Sequence, residues 1–195
     1  MTLSCRFQDG LTFAVELHDG QPRKGTSIPY ISHLLGVASL VLDNGADEDE
    51  AIAALLHDAI EDQGGSETRE EIRRRFGDRV VEIVDGCSDT DSTPKPPWLE
   101  RKKAYLTHLR NACASVLLVS AADTLHNARA ILTDYRELGE SLWERFNGGR
   151  EGTLWYYRSV VTAFRGTAAA PLRLVEELDQ VVSEIEGLAS SGKSV

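Results

Sequence analysis

Cysteine is scarce and poorly placed for cross-linking. Cys5, Cys87 and Cys113 are odd in number, lie far apart and show no C-x-x-C spacing, which excludes a disulfide framework and a thiolate metal site as organising principles. Long apolar runs are missing as well. Nowhere do eighteen apolar residues follow one another, and the opening MTLSCRFQDG has no basic segment leading into an apolar one. These absences predict a cytoplasmic chain with free thiols, no signal peptide and no membrane partner. Positive charge is in deficit too. The net charge of -10 argues against a nucleic-acid partner, whose phosphate backbone calls for excess Lys and Arg on one face. A small anionic substrate is compatible with it, because a metal or a few arginines supply local positive charge that the total does not report.

What is present is an ordinary globular composition, 42% hydrophobic and 27% charged over 195 residues, enough for one domain with a proper core. No stretch alternates as a strand, so the expected fold class is all-α, a single helical bundle over residues 1–188 with a disordered tail at 189–195. The clearest helix covers 47–62, DEDEAIAALLHDAIED. Ile52, Leu55, Leu56, Ala59 and Ile60 form one apolar stripe there, Asp47 to Glu50 suit the positive end of the helix dipole, and Gly64 and Gly65 stop it. Thr68 followed by Glu71 resembles a capping box for a short helix ending near Phe76 and Gly77. Further helices are expected at 11–18, 30–43, 78–87, 98–110, 113–131, 134–145, 150–165 and 171–188, the last with Pro171 near its first turn. The segment from Ser88 to Pro97 is rich in Pro, Ser and Asp and reads as a loop.

The chemically informative phrase is Leu56-His57-Asp58-Ala59-Ile60-Glu61-Asp62. In a continuous helix His57 stands over Glu61 and Asp58 over Asp62, two polar rows opposite the apolar stripe. Taken alone, such a face is also that of any solvated helix. His33 and Asp123 add weight, because each follows or interrupts apolar residues where a polar group is awkward. With His57 and Asp58 they make two imidazoles and two carboxylates from three helices, a mixed N/O set that suits Mn²⁺, Fe²⁺ or Mg²⁺.

The order H…HD…D resembles the signature of HD-domain phosphohydrolases. Longer phrases are more specific: HDGQPRKGTSIPYISH at 18–33, ALLHDAIED at 54–62, FGDRVVEIVD at 76–85, LERK at 99–102 and ADTLHN at 122–127. They resemble the hydrolase domain of the Rel/Spo alarmone enzymes, and still more the stand-alone Mesh-type small alarmone hydrolases. The similarity runs from about residue 11 to 165, and with nothing in these residues that resembles the family's synthetase, TGS or ACT regions, the expectation is a chain that degrades the nucleotide and does not make it.

The resemblance implies a single HD-domain bundle that takes a small-molecule nucleotide, guanosine tetra- or pentaphosphate of the stringent response or an adenosine form, and removes its 3′-pyrophosphate. It implies one Mn²⁺ held by His33, His57, Asp58 and Asp123, an active-site Asn127, and substrate contacts from Arg23, Lys24, Tyr30 and Arg150. Glu61 and Asp62, one turn beyond the ligands, are placed to orient or deprotonate a water. Their acidic position at a helix C-terminus costs stability, which favours a functional role. His126, three residues after Asp123, is open to a structural or a functional reading. Two departures stand out: Ser120 replaces the family's usual Lys, and Leu154 falls where relatives carry an aromatic, with Trp155, Tyr156 and Tyr157 beside it. Two alternatives stay open, a phosphatase for another nucleotide such as NADPH and a nucleotide-binding module without turnover. Base preference and oligomeric state are not fixed by these residues.

Overall fold

The computed structural model describes residues 2–88 and 94–192, and among them the regular structure is helical. In chain order the helices are α1 Cys5–Leu17, α2 Ile31–Asp43, α3 Glu48–Leu56, α4 Ala59–Asp62, α5 Ser66–Phe76, α6 Asp78–Cys87, α7 Trp98–Leu109, α8 Ala114–Leu138, a 3-10 segment Gly139–Arg145, α9 Gly149–Arg165 and α10 Leu172–Ser190. Half of the loop expected at 88–97, residues 89–93, lies outside the described residues. No described helix is long and apolar enough to cross a membrane.

Helix α3 is the centre of the bundle, packed by α1, α2 and α6. Every residue from Ala51 to Leu56 is buried, so beyond its acidic first turn the helix has no solvent face. A helix apolar all round belongs inside a protein, and the expected polar face opposite Ile52, Leu55 and Leu56 does not exist. The expected single helix over 47–62 is in fact two, with His57 and Asp58 between α3 and α4. The His57 side chain is the physical reason. Its Nδ1 donates to the Ala54 carbonyl at 2.8 Å, the acceptor that the Asp58 N–H would use in an unbroken helix, so side chain and backbone compete for it.

Other boundaries move for equally local reasons. Helix α1 starts at Cys5 rather than 11, because Ser4 caps it by accepting from the Arg6 N–H. Gly10 on α1 lets it approach α3 closely: a Cβ there would stand 3.2 Å from Ile52. The capping box forms at Asp47 and Glu50 rather than at Thr68 and Glu71. Thr68 instead donates to the Gln63 carbonyl, while Glu71 pairs with Arg74 and Arg75. The two helices expected at 113–131 and 134–145 are one, since Ile131, Leu132 and Tyr135 continue the buried stripe of α8, and only Gly139, at φ +58°, ends it. Helix α8 contacts α2, α3, α6, α9 and α10 and thus links the core to the C-terminal layer. Helix α10 passes the expected boundary at 188 because Ala189 is buried and its carbonyl accepts from Arg150; residues 193–195 lie outside the described residues.

Between α1 and α2 the chain makes a narrow loop, with Arg23 N–H on the Ile28 carbonyl and Tyr30 N–H on the Gln21 carbonyl, each at 2.8 Å. Arg23 and Lys24 stand near its tip beside Gly25, whose φ of +73° favours glycine.

The capping box gives the first test. Asp47→Ala removes the acceptor for the Glu50 N–H and should cost about 1 kcal/mol, lowering the thermal midpoint by roughly 2–4 °C. Urea and thermal unfolding of the two proteins measure it.

Candidate metal centre

Three helical elements bring the candidate ligands together. His33 is on the first turn of α2, Asp58 follows His57 at the break after α3, and Asp123 is in the middle of α8. Both imidazoles are almost fully buried, at 1% and 2% exposure, and meet edge to face with centroids 5.2 Å apart. His33 Nε2 lies 3.1 Å from Asp123 Oδ1 and 3.7 Å from Asp58 Oδ2. His57 Nε2 lies 3.0 Å from Asp58 Oδ2 and 3.5 Å from Asp123 Oδ1. Two ring nitrogens and two carboxylate oxygens therefore surround one point.

The Nδ1 atoms are engaged elsewhere, which leaves Nε2 to face that point. His57 Nδ1 holds the Ala54 carbonyl, and His33 Nδ1 lies 2.9 Å from His126 Nδ1. His57 Nε2 is buried with no partner in hydrogen-bonding geometry among the described residues. A buried orphan nitrogen aimed between two carboxylates fits a divalent cation, and His33, His57 and Asp58 alone already form a group able to hold one. Mixed nitrogen and oxygen donors without a thiolate suit a metal of intermediate hardness.

Charge coupling follows from this geometry. Burial opposes ionisation of Asp58, yet the neighbouring His57 outweighs it and holds the carboxyl at about 2. Asp123 is likewise held well below the usual carboxylate range by the two histidines despite its burial. Burial disfavours the imidazolium of His57, but the charges of Asp58 and Asp123 prevail and raise its pKa well above 6.5. His33 moves down, since its burial outweighs the pull of Asp123.

The surroundings clamp these groups. Tyr30 donates its hydroxyl to Asp58 Oδ2 at 2.5 Å, and burial together with the Asp58 charge pushes the phenol pKa up, so it stays a donor. Asn127 donates to Asp123 Oδ1 at 2.6 Å while its own carbonyl accepts from Arg23 at 2.8 Å. Asp62 accepts from Gln21 Nε2 at 3.1 Å, and Gln21 Oε1 accepts from both His18 Nδ1 and Gln63 Nε2. Burial and the nearby Asp58 charge raise the Asp62 pKa. Glu61 pairs with Lys95 at 2.8 Å.

A cleft of about 360 Å³ opens over this cluster, lined by Asp58, Glu61, Asp62 and Asp123 and also by Lys24, Arg101 and Lys102. A second cavity of about 300 Å³ shares Lys24, Tyr30, Asn127, Phe146 and Tyr157 with it and adds Arg23. Arg150 is the one expected site residue that is not brought here. Its guanidinium holds the Ala189 carbonyl at the end of α10 and pairs with Glu140, so it serves packing between helices.

Residues 10–154 match the HD domain family. The chain belongs to the HD domain family. Similar proteins include the guanosine-3′,5′-bis(diphosphate) 3′-pyrophosphohydrolase MESH1 of Danio rerio, 34% identical over 89% of this chain and 91% of that protein. The Xenopus tropicalis protein of the same name is 40% identical over 62% of this chain and 66% of its own length. A guanosine-3′,5′-bis(diphosphate) 3′-pyrophosphohydrolase of Aquifex aeolicus is 48% identical over 64% of this chain but only 17% of its own. Among solved structures, that of a metazoan ortholog of SpoT that hydrolyzes ppGpp superposes with a TM-score of 0.78 at 27% identity, covering 96% of this chain and 99% of that one.

Within this HD domain, sequence reasoning passed over Gln21, Gly36 and Lys95 and left His126 undecided. A glycine in the interior of an apolar helix, one turn after a buried histidine, was the available signal for close approach at Gly36. At Ser120 the hydroxyl points to Cys87 Sγ at 3.7 Å, and burial pushes that thiol to about 12. Position 120 is therefore occupied by a neutral group beside a neutral thiol.

A pH prediction follows for the metal-free HD domain. Because the charges of Asp58 and Asp123 raise the pKa of His57, a cation competes with a proton for its Nε2. Affinity should rise with pH up to the raised pKa and fall about tenfold per pH unit below it. Titrations with Mn²⁺ at pH 6, 7 and 8, in buffers of differing ionisation enthalpy, should show tightening and the release of about one proton; pH-independent binding would contradict it.

Proposed function

We propose that this HD domain is a cytoplasmic hydrolase that removes the 3′-pyrophosphate of a magic-spot nucleotide, ppGpp, pppGpp or an adenosine counterpart, with Mn²⁺ held by His33, His57, Asp58 and Asp123. The observation that carries the reading is the orphaned His57 Nε2 between Asp58 and Asp123, two carboxylates that line a cleft together with Lys24, Arg101 and Lys102. Relatives named as 3′-pyrophosphohydrolases of guanosine-3′,5′-bis(diphosphate), one of them matched along 91% of its length, support the substrate class.

A divalent ion in this site would make water reactive at neutral pH and offset charge developing on the phosphoryl oxygens. The chain's own groups handle the proton and the substrate. Hydrolysis takes one proton from the attacking water and returns one to the departing 3′-oxygen. Asp62, with its raised pKa and a carboxylate fixed by Gln21, is suited to carry that proton. Glu61, which lines the same cleft and pairs with Lys95, orients the water.

Lys24, Arg101 and Lys102 meet the phosphates, where point charges and planar guanidinium groups both serve. Arg23, held by Asn127, and Tyr157 line the adjoining cavity, which is suited to the nucleoside. Tyr30 acts through Asp58, whose oxygen it holds. Asn127 couples Arg23 to Asp123, so nucleoside contact and cation site share one hydrogen-bond chain.

Product analysis with ppGpp, ppApp and NADPH, with and without Mn²⁺, tests the proposal. Pyrophosphate released from ppGpp or ppApp only with metal is the expected result, and phosphate from NADPH alone would move the activity to another nucleotide. His57→Ala should be inactive. Asp62→Asn should lose about 10²–10⁴-fold in kcat while still binding Mn²⁺, whereas Arg23→Ala should raise KM more than it lowers kcat.

A further inference from the structure

The two buried histidines are oriented by different means. His57 presents Nε2 because its Nδ1–H is fixed by the Ala54 carbonyl, a backbone group that no side-chain change removes. His33 has no such anchor. It can offer Nε2 to a cation only as the tautomer that carries its proton on Nδ1, and that proton needs an acceptor. The group in reach is His126 Nδ1, at 2.9 Å.

Two imidazole nitrogens at this distance bond only when one bears a proton and the other a lone pair. With the proton on His33, His126 must be neutral and protonated on Nε2. Its seat enforces the approach. The rings lie with centroids 4.8 Å apart at 56°, and the Nε2–Cδ2 edge of His126 rests on Gly36, where a Cβ would come within 2.2 and 2.3 Å of those atoms. Gly36 is three residues after His33 on α2 and fully helical, so its backbone conformation does not call for glycine. The space occupied by His126 does. Histidine ligands ordinarily give their second ring N–H to a carboxylate or carbonyl; here another imidazole takes that place.

We propose that His126, seated on Gly36, is the positioning residue that fixes the tautomer and ring angle of His33. The inference rests on His33 being a metal ligand, as proposed above. In consequence α2 and α8 are joined twice at the site, once where His33 faces Asp123 and once behind it through His126.

The test uses metal-free protein and a titration with Mn²⁺ followed by the signal of the free ion, together with the thermal midpoint in chelator. His126→Phe keeps a ring without an acceptor. His126→Asn places an amide oxygen near the position of Nδ1. Gly36→Ala adds the intruding Cβ while improving helix propensity.

His126→Phe and Gly36→Ala should each weaken Mn²⁺ binding about 10–100-fold, and His126→Asn should remain close to the unaltered protein, with all midpoints in chelator similar. If the Phe variant loses its unfolding transition, His126→Ala, which adds no bulk, replaces it and carries the same expectation. Unchanged affinity in His126→Phe, or an equal loss in His126→Asn, overturns the inference. Absence of Mn²⁺ binding by the unaltered protein would instead overturn the metal assignment and the inference with it.

Discussion

Two imidazoles and two carboxylates converge in the middle of a hydrophobic bundle, and much of the architecture follows from keeping them there. Taking such groups out of water is unfavourable unless each is held by a partner. The fold supplies one for nearly every atom: the Ala54 carbonyl for His57, Tyr30 for Asp58, Asn127 for Asp123 and His126 for His33. The unsatisfied exception is His57 Nε2, the atom that the proposed cation would engage. Because α3 is buried on all sides beyond its first turn, its polar groups leave from its end and not from a face. That end is where the helix breaks.

The charge distribution has the same logic on a larger scale. A chain with a net charge of -10 would repel a polyphosphate, but the cleft has Lys24, Arg101 and Lys102 in its lining as well as the acids. Local field, and not total charge, decides what enters.

Much of this was legible in the sequence because burial patterns are local. The helices around His33 and Asp123 and the stripe through Ile52, Leu55 and Leu56 follow from periodicity, and the H…HD…D order follows from residue type. The break at His57 was not legible, since it depends on a side chain taking a backbone acceptor, a choice that propensity does not encode. The capping box at Asp47 and Glu50 was visible as charge and misread as dipole compensation alone. Arg150 was misplaced for a different reason: its partner is a carbonyl of Ala189, far along the chain, and only the tertiary structure says that α10 extends that far. His126 and Gly36 could be read only as a pair, across two helices.

The candidate ligands come from positions 33, 57, 58 and 123, in three separate stretches of the chain. A cation seated among them would act as a clip, closing a loop of roughly ninety residues whose entropy grows only slowly with length. Such a clip would resist unfolding of α2 and α8 together. It would also keep a growing chain silent during synthesis, because a polypeptide that ends before α8 holds three of the four groups and none of the Arg23–Asn127–Asp123 connection.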